Sequence, residues 1–320
     1  MTLHPLIQEV GQSHPNKLTT GEFFAPVTAH PYAINQWLAG TKSPLVVVTP
    51  SSRQAEEIAA ATKELSPEIE VIEFPSWETL PHERLSPAAE TVGRRLKALH
   101  RMLQLKAESK SYLVLMSVRA ALQPVVGGME AHPPILISRG KEYLLPELAL
   151  KLIEIGYQRV DMVVKRGEFA IRGGILDVFP TTSEHALRLE FFGDELEDVR
   201  EFSVADQRSI ASQIDHLDIY PARELLITPQ VALRAREMAH EFPNLTQMLE
   251  KISNGMPVEG MESLAPALGV KLGPITDYLG KDAIVILQDP QKIEQRAESL
   301  IQTNEEFLHL AAFRELLFKS

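Results

Sequence analysis

"PLVVVTPSSRQAEEIAAATKEL", residues 44–65, sets the fold class. Leu45 to Val48 form a β-branched apolar run between Pro44 and Pro50. A run this short, with no polar alternation, suits a strand buried on both faces of a parallel sheet. Ser51 and Ser52 are helix-capping types, and the Ala/Glu/Gln/Lys-rich stretch behind them is a good helix former. Strand followed directly by helix is the repeating unit of an α/β protein.

The unit recurs outward from there. "EVIEF" (70–74) and "SYLVLMS" (111–117) read as two further strands, with an amphipathic helix at 88–105 and another around "VRAALQPV" (118–125). "PYAINQWLA" (31–39) precedes the first strand and reads as a helix whose proline falls in the first turn. This alternation implies right-handed crossovers and a doubly wound sheet. The Gly/Pro-rich stretch "VVGGMEAHPP" (125–134) breaks the pattern. Beyond it, one helix (144–156) leads into short runs at 157–164, 168–172, 175–179, 187–192 and 195–202, which read as the strands of a small antiparallel domain. "FFGDEL" is its tight hairpin, turning at Gly193-Asp194. From about residue 219 the helix-rich texture returns, with one apolar strand, "AIVIL" (283–287), and a long terminal helix near 290–318.

Bulk properties narrow the function classes. The net charge of −11 argues against a surface built mainly to hold nucleic-acid phosphates. The absence of cysteine excludes disulfides, thiolate nucleophiles and cysteine-ligated zinc. The first 17 residues lack a basic-then-apolar leader, and no apolar run approaches the roughly 20 residues needed to span a bilayer. A cytoplasmic protein with no membrane partner is expected.

A doubly wound sheet invites a search for a phosphate loop, and none is found. Gly40-Thr41-Lys42-Ser43 has Thr between Gly and Lys and precedes a strand, whereas such a loop must follow a strand and open a helix. "GEFFAPVTAHPYAINQWL" (21–38), where the loop belongs, has no lysine and no glycine between Ala25 and Ala39. Asp289, at the end of the last strand, stands alone before Pro290 and reads as a turn former. No cofactor, metal or catalytic residue is expected. His82, His100 and His132 are scattered rather than convergent, and no nucleophile elbow occurs. Arg94, Arg95, Lys97 and Arg101 share a helix with Val92, Leu96, Leu99 and Leu103. The apolar set gives the buried stripe; the bases either touch phosphate or are solvated or ion-paired, and the acidic total favours the second reading.

"GEFAIRGGILDVFP" (167–180), "RLEFFGDELEDVREFSVADQRS" (188–209), "PSWETLPHERLSP" (75–87) and "ETVGRRLKAL" (90–99) resemble the N-terminal module of bacterial transcription-repair coupling factors, itself similar to the excision-repair helicase UvrB. The resemblance implies an α/β fold comprising a degenerate RecA-like helicase domain in two segments, 1–128 and 219–320. A small α+β domain rich in antiparallel strands, 129–218, is inserted between them. It implies a non-catalytic module that has lost ATP binding. Matching "VTAHPYA" (27–33) to the helicase phosphate loop places Ala29 and Pro31 at glycines and Tyr32 at the lysine. It also implies that the long DNA-inserting aromatic hairpin of UvrB is replaced by the short 75–87 segment. The implied partner is UvrA, recruited through the inserted domain. RNA polymerase and DNA are implied partners of a longer protein, an ATP-dependent DNA translocase, whose other domains have no counterpart here. The competing function is an ATP-dependent DNA helicase or damage-sensing lobe like UvrB.

The resemblance places the UvrA contacts on Arg172, Arg188 and Phe192. In an extended strand, Leu187, Leu189 and Phe191 share one face, the natural core face, and Arg188, Glu190 and Phe192 share the other. Either the outward Phe192 and the arginines form an interface, or Phe192 packs beneath the turn and the arginines pair with Glu190 or Glu195. Gly173-Gly174 is expected to turn the chain sharply and set Arg172 beside the neighbouring Arg188/Phe192 strand.

Overall fold

The computed structural model describes residues 21–80, 85–128, 132–210 and 214–317, with side chains to residue 305. The amino terminus read for a leader, His82 within the 75–87 segment, and residues 129–131 of the Gly/Pro-rich break lie outside the described residues. The chain is mixed α/β and divides into two compact units. The first holds residues up to 76, 98–125, and 273 onward; the second holds 77–97 and 126–272.

The first unit is built on a four-stranded sheet of β1 (Leu45–Thr49), β2 (Val71–Phe74), β3 (Leu113–Ser117) and β13 (Ile284–Leu287), ordered β13-β1-β3-β2. All three pairings are parallel, and Leu45 stands between Leu113 and Ile284. Every residue of β1 and β3 is buried, as the unbroken apolar runs require. Helices α1 (His30–Ala39) and α2 (Ser52–Leu65) cover the sheet: Ile34, Trp37, Leu38 and Ile58 pack with Leu45, Val47 and Leu115. The expected Ser51 cap is in place, and the structure adds a second at Ser117. Ser51 accepts a hydrogen bond from Gln54 N at the start of α2. Ser117 does the same for Ala120 N at the start of α4 (Val118–Leu122). Helix α3 (Ala89–Ala107) lies between α2 and α4 in the chain, and α8 (Pro290–Leu317) follows β13. Arg101, on α3, pairs with Glu70 through Nε at 2.9 Å and Nη2 at 3.1 Å.

The second unit contains a five-stranded sheet ordered β10-β9-β8-β7-β6, comprising β6 (Gln158–Arg159), β7 (Glu168–Arg172), β8 (Ile175–Val178), β9 (Ala186–Phe192) and β10 (Glu195–Phe202). β7 to β10 are antiparallel neighbours, and the short β6 runs parallel to β7. One sheet face packs against helix α5 (Leu145–Glu154): Leu148 and Leu152 meet Phe169, Leu176, Leu187 and Leu189. The full strand expected over 157–164 contracts to two residues. The Glu168 carboxylate accepts hydrogen bonds from Val164 N and Lys165 N, which bends the chain, and Val163 is buried in a second small core. β5 (Ile135–Ser138), not anticipated from the sequence, pairs antiparallel with β11 (His216–Ile219). Helices α6 (Pro229–Glu241) and α7 (Thr246–Ser253) form a separate helical cluster around Leu225, Met238, Leu249, Ile252 and Met261. The two-residue strands β4 (Val125–Val126) and β12 (Leu272–Gly273) fall where the chain passes between units.

Residues 77–97 and 219–272 group with the antiparallel sheet in the second unit. Two polar clusters join residues 77–97 to residues 223–262 within the second unit. Arg95, one of the bases read as solvated or ion-paired, is ion-paired, but in the interior: it is 0% exposed. Its Nε donates to Glu224 Oε1 at 2.6 Å, Trp77 Nε1 donates to the same oxygen at 2.8 Å, and the guanidinium lies 5.3 Å from the Trp77 ring centre. A buried cation needs such a set of partners to offset its desolvation. Nearby, the Ser86 hydroxyl donates to Glu262 Oε2 at 2.6 Å, and Arg223 Nη1 donates to Glu262 Oε1 at 2.8 Å. Arg94 and Lys97, also read as solvated, are exposed.

Candidate functional site

Two tight hairpins shape the outer face of the five-stranded sheet. Arg172 pairs with Ile175 across Gly173-Gly174, and Phe192 pairs with Glu195 across Gly193-Asp194. Gly173 has φ +60° and Gly193 φ +63°, which side chains beyond glycine adopt at a cost. Gly174 meets a different demand. A Cβ there would lie 2.8 Å from the Phe191 carbonyl oxygen, and Phe191 N donates to Gly174 O at 2.8 Å. The double glycine thus makes the turn and lets the hairpin lie close against β9.

The period-two reading of β9 holds at Leu187 and Leu189, which are buried against α5, and the half-buried Phe191 packs on the same core. The opposite face grades along its length. At one end Ala170, Phe179, Ala186 and Phe202 are covered by Val163. The middle is ionic. Arg188 Nε donates to Asp177 Oδ1 at 2.7 Å and Nη2 to Oδ2 at 2.8 Å, with the guanidinium 4.8 Å from the Phe202 ring centre. The hydrogen bonds that it donates to the Asp177 carboxylate hold the Arg188 guanidinium above its ordinary pKa. Beside it, Arg200 donates to Glu190. At the open end stand Arg172, Ile175 and Phe192, with Phe192 76% exposed.

The structure brings the three sequence-derived residues onto one sheet face but spaces them differently from expectation. β8 intervenes between the strand of Arg172 and that of Arg188, so the two arginines stand two strand spacings apart across the sheet, roughly 10 Å, and two residues apart along it. Phe192 does not pack beneath its turn. Arg188 pairs with Asp177 rather than with Glu190 or Glu195, and Arg172 donates to the Asp161 carbonyl oxygen. Sequence reading missed Asp177, whose only signal was a carboxylate in register with Arg188 inside the apolar "ILDVF".

The region matched to a phosphate loop is taken up by helix packing. Pro31 lies at the first turn of α1 and is buried along with Ala33, while Tyr32 is half-buried. Ala29 flanks the helix without a side-chain cap bond. The Gln288 amide donates to His30 Nδ1 at 3.2 Å, leaving Nε2–H to donate to the Ala25 carbonyl at 3.2 Å. Asp289, at φ +57°, pairs with Lys292 at 2.6 Å, which lowers its pKa. Among the described residues no group of three or more His, Asp or Glu could hold a metal ion. Among those residues no helix is long and apolar enough to cross a membrane.

A family profile described as "UvrB interaction domain" matches residues 135–225, the stretch that contains the five-stranded sheet and its Arg/Phe face. The second unit thus carries an interaction domain of that class. Over 322 residues the chain is 40% identical to the transcription-repair-coupling factor of Mycobacterium tuberculosis (strain CDC 1551 / Oshkosh), covering 96% of this chain and 25% of the relative. It is 31% identical over 254 residues to that of Escherichia coli (strain K12), covering 76% of this chain and 21% of the relative. The protein belongs to the transcription-repair-coupling factor family. It spans about a quarter of the length of the curated relatives it matches.

Proposed function

We propose that this chain is a non-catalytic adaptor module that recruits UvrA in transcription-coupled nucleotide excision repair, through Arg172, Arg188 and Phe192. The single observation that carries this reading is Phe192, an aromatic ring 76% exposed at the end of a strand whose arginine is already fixed in place. A large ring flanked by cations is the residue set that dominates binding energy at protein interfaces. The organisation we infer is a degenerate RecA-like domain in two segments, 1–128 and 219–320, around an inserted domain, 129–218. The strand β13, which returns from residue 284 to complete the β1 edge, supports the two-segment reading. Ala29, Pro31 and Tyr32 mark a nucleotide site that no longer grips phosphate, so ATP-driven DNA translocation and the contact with stalled RNA polymerase belong to the longer protein.

Titration of purified UvrA tests this reading. Phe192→Ala and Arg172→Ala are each expected to weaken Kd about thirty-fold, equivalent to ~2 kcal/mol. Wild-type affinity in both variants overturns the assignment.

A further inference from the structure

The second unit has another surface that the Arg/Phe face does not use. An open groove of about 1010 Å³ runs between β5, α5 and residues 226–229. Its walls are apolar at Pro134, Leu136, Leu144 and Ile227, and Leu136 is 66% exposed. Its rim is acidic: Glu142, Glu147, Glu154 and Asp194 face a single lysine, Lys151. None of these four carboxylates is in an ion pair among the described residues.

One wall of the groove is an open strand edge. Arg139 N donates to Asp215 O at 3.0 Å, while Ser138 N turns the other way and donates to the Tyr143 hydroxyl at 2.8 Å. Antiparallel partners alternate between bonded and non-bonded pairs, so Ile135 and Ile137 bond to β11. The Leu136 N–H and C=O then point to the side on which Tyr143 lies, and Tyr143 also lines the groove. An unpaired strand edge beside exposed apolar side chains is a template for strand addition.

We propose that this groove takes an extended segment of a partner protein that alternates apolar with Lys or Arg side chains, added as a strand on the Leu136 edge. The backbone pair supplies register, the apolar walls take one side-chain row, and the four carboxylates select cations in the other. This proposal does not rest on the UvrA reading.

The test uses the full 320-residue chain and a labelled peptide, acetyl-Lys-Val-Lys-Val-Lys-Val-Lys-amide, followed by fluorescence anisotropy. The peptide is expected to bind at least tenfold more tightly than its Glu-for-Lys counterpart. The exposed double variant Glu147→Lys/Glu154→Lys is expected to lose at least tenfold. Leu136→Pro, which removes an N–H that β11 does not use, is expected to abolish binding. Should that variant not fold, a peptide N-methylated at alternate amides puts the same question to the wild-type chain, and it is expected to bind at least tenfold more weakly. Equal binding of the methylated and unmethylated peptides, or of the Lys and Glu peptides, overturns the proposal. So does self-association of the chain that Leu136→Pro relieves, since the occupant is then a second copy.

Discussion

Asp177 and Arg188 face each other across β8 and β9, joined by two parallel hydrogen bonds of 2.7 and 2.8 Å. Asp177 is buried, and 20% of the Arg188 side chain reaches solvent. The carboxylate therefore fixes one edge of the guanidinium and leaves the remainder for an incoming group. Asp177→Asn removes the charge but not the shape. Urea denaturation is expected to register a loss of about 1–3 kcal/mol. UvrA affinity is expected to fall too, because Arg188 is no longer held in one orientation. A variant with wild-type stability and wild-type affinity argues against this positioning role.

Phe192 separates binding from folding. With most of its ring in solvent, Phe192→Ala is expected to change stability by no more than about 0.5 kcal/mol. Thermal melts run beside the UvrA titrations check this. A large drop in Tm would show that the ring serves the fold.

The two glycines of the first hairpin differ in kind. Gly173→Ala incurs only the left-handed backbone penalty, about 1 kcal/mol, because nothing lies within 4 Å of the added carbon. Gly174→Ala drives a carbon into the Phe191 carbonyl, and backbone cannot swing aside as a side-chain tip can. It is expected to destabilise more than Gly173→Ala and to weaken UvrA binding as β7–β8 lifts from β9. Matched melting curves for the two variants decide the order.

Arg95 is expected to be the most sensitive charge in the second unit. Arg95→Ala strands Glu224 in an apolar interior, with an expected loss of about 3–5 kcal/mol in chemical denaturation. The double variant Arg95→Met/Glu224→Met removes both charges and is expected to recover part of that loss. A double variant as unstable as the single one would mean that the pair's packing, and not its charge, matters.

Glu70 gives the first unit an acid limb. Its hydrogen bonds from Arg101 hold the carboxyl below its ordinary value of 4.5. A lowered folded-state pKa means stability that is fully present above that ordinary value and is lost as pH falls through the folded pKa. Glu70→Gln has no such proton to take up. The stability gap between wild type and variant is therefore expected to narrow on acidification from pH 5 downward, and a pH-independent gap would exclude the linkage.

Much of the first unit was legible because its signals are local. Val46–Val48 and Leu113–Met116 are apolar on consecutive residues, and Ser51 announces its helix within three positions. The face of β9 was legible for the same reason, since alternation alone put Leu187 and Leu189 inward. Arg95 was opaque because its environment comes from Glu224, 129 residues away, and no periodicity within a helix reports that. The same distance hid the grouping of residues 77–97 with the antiparallel sheet. Asp177 hid in an apolar strand for a related reason: its partner is fixed by register, which exists only once β8 and β9 have paired.

The parallel pairing of Leu45 with Ile284 has a consequence for synthesis. β1 leaves the ribosome well before its outer neighbour, β13, whose paired residue lies 239 positions further along the chain. During the interval one flank of a strand with four consecutive apolar residues, Leu45 to Val48, stays uncapped, open to mispairing with any similar ribbon nearby. Final closure of that layer waits for residues 284–287, so a ribosome stalled before them holds a nascent chain whose parallel sheet is still missing its fourth member.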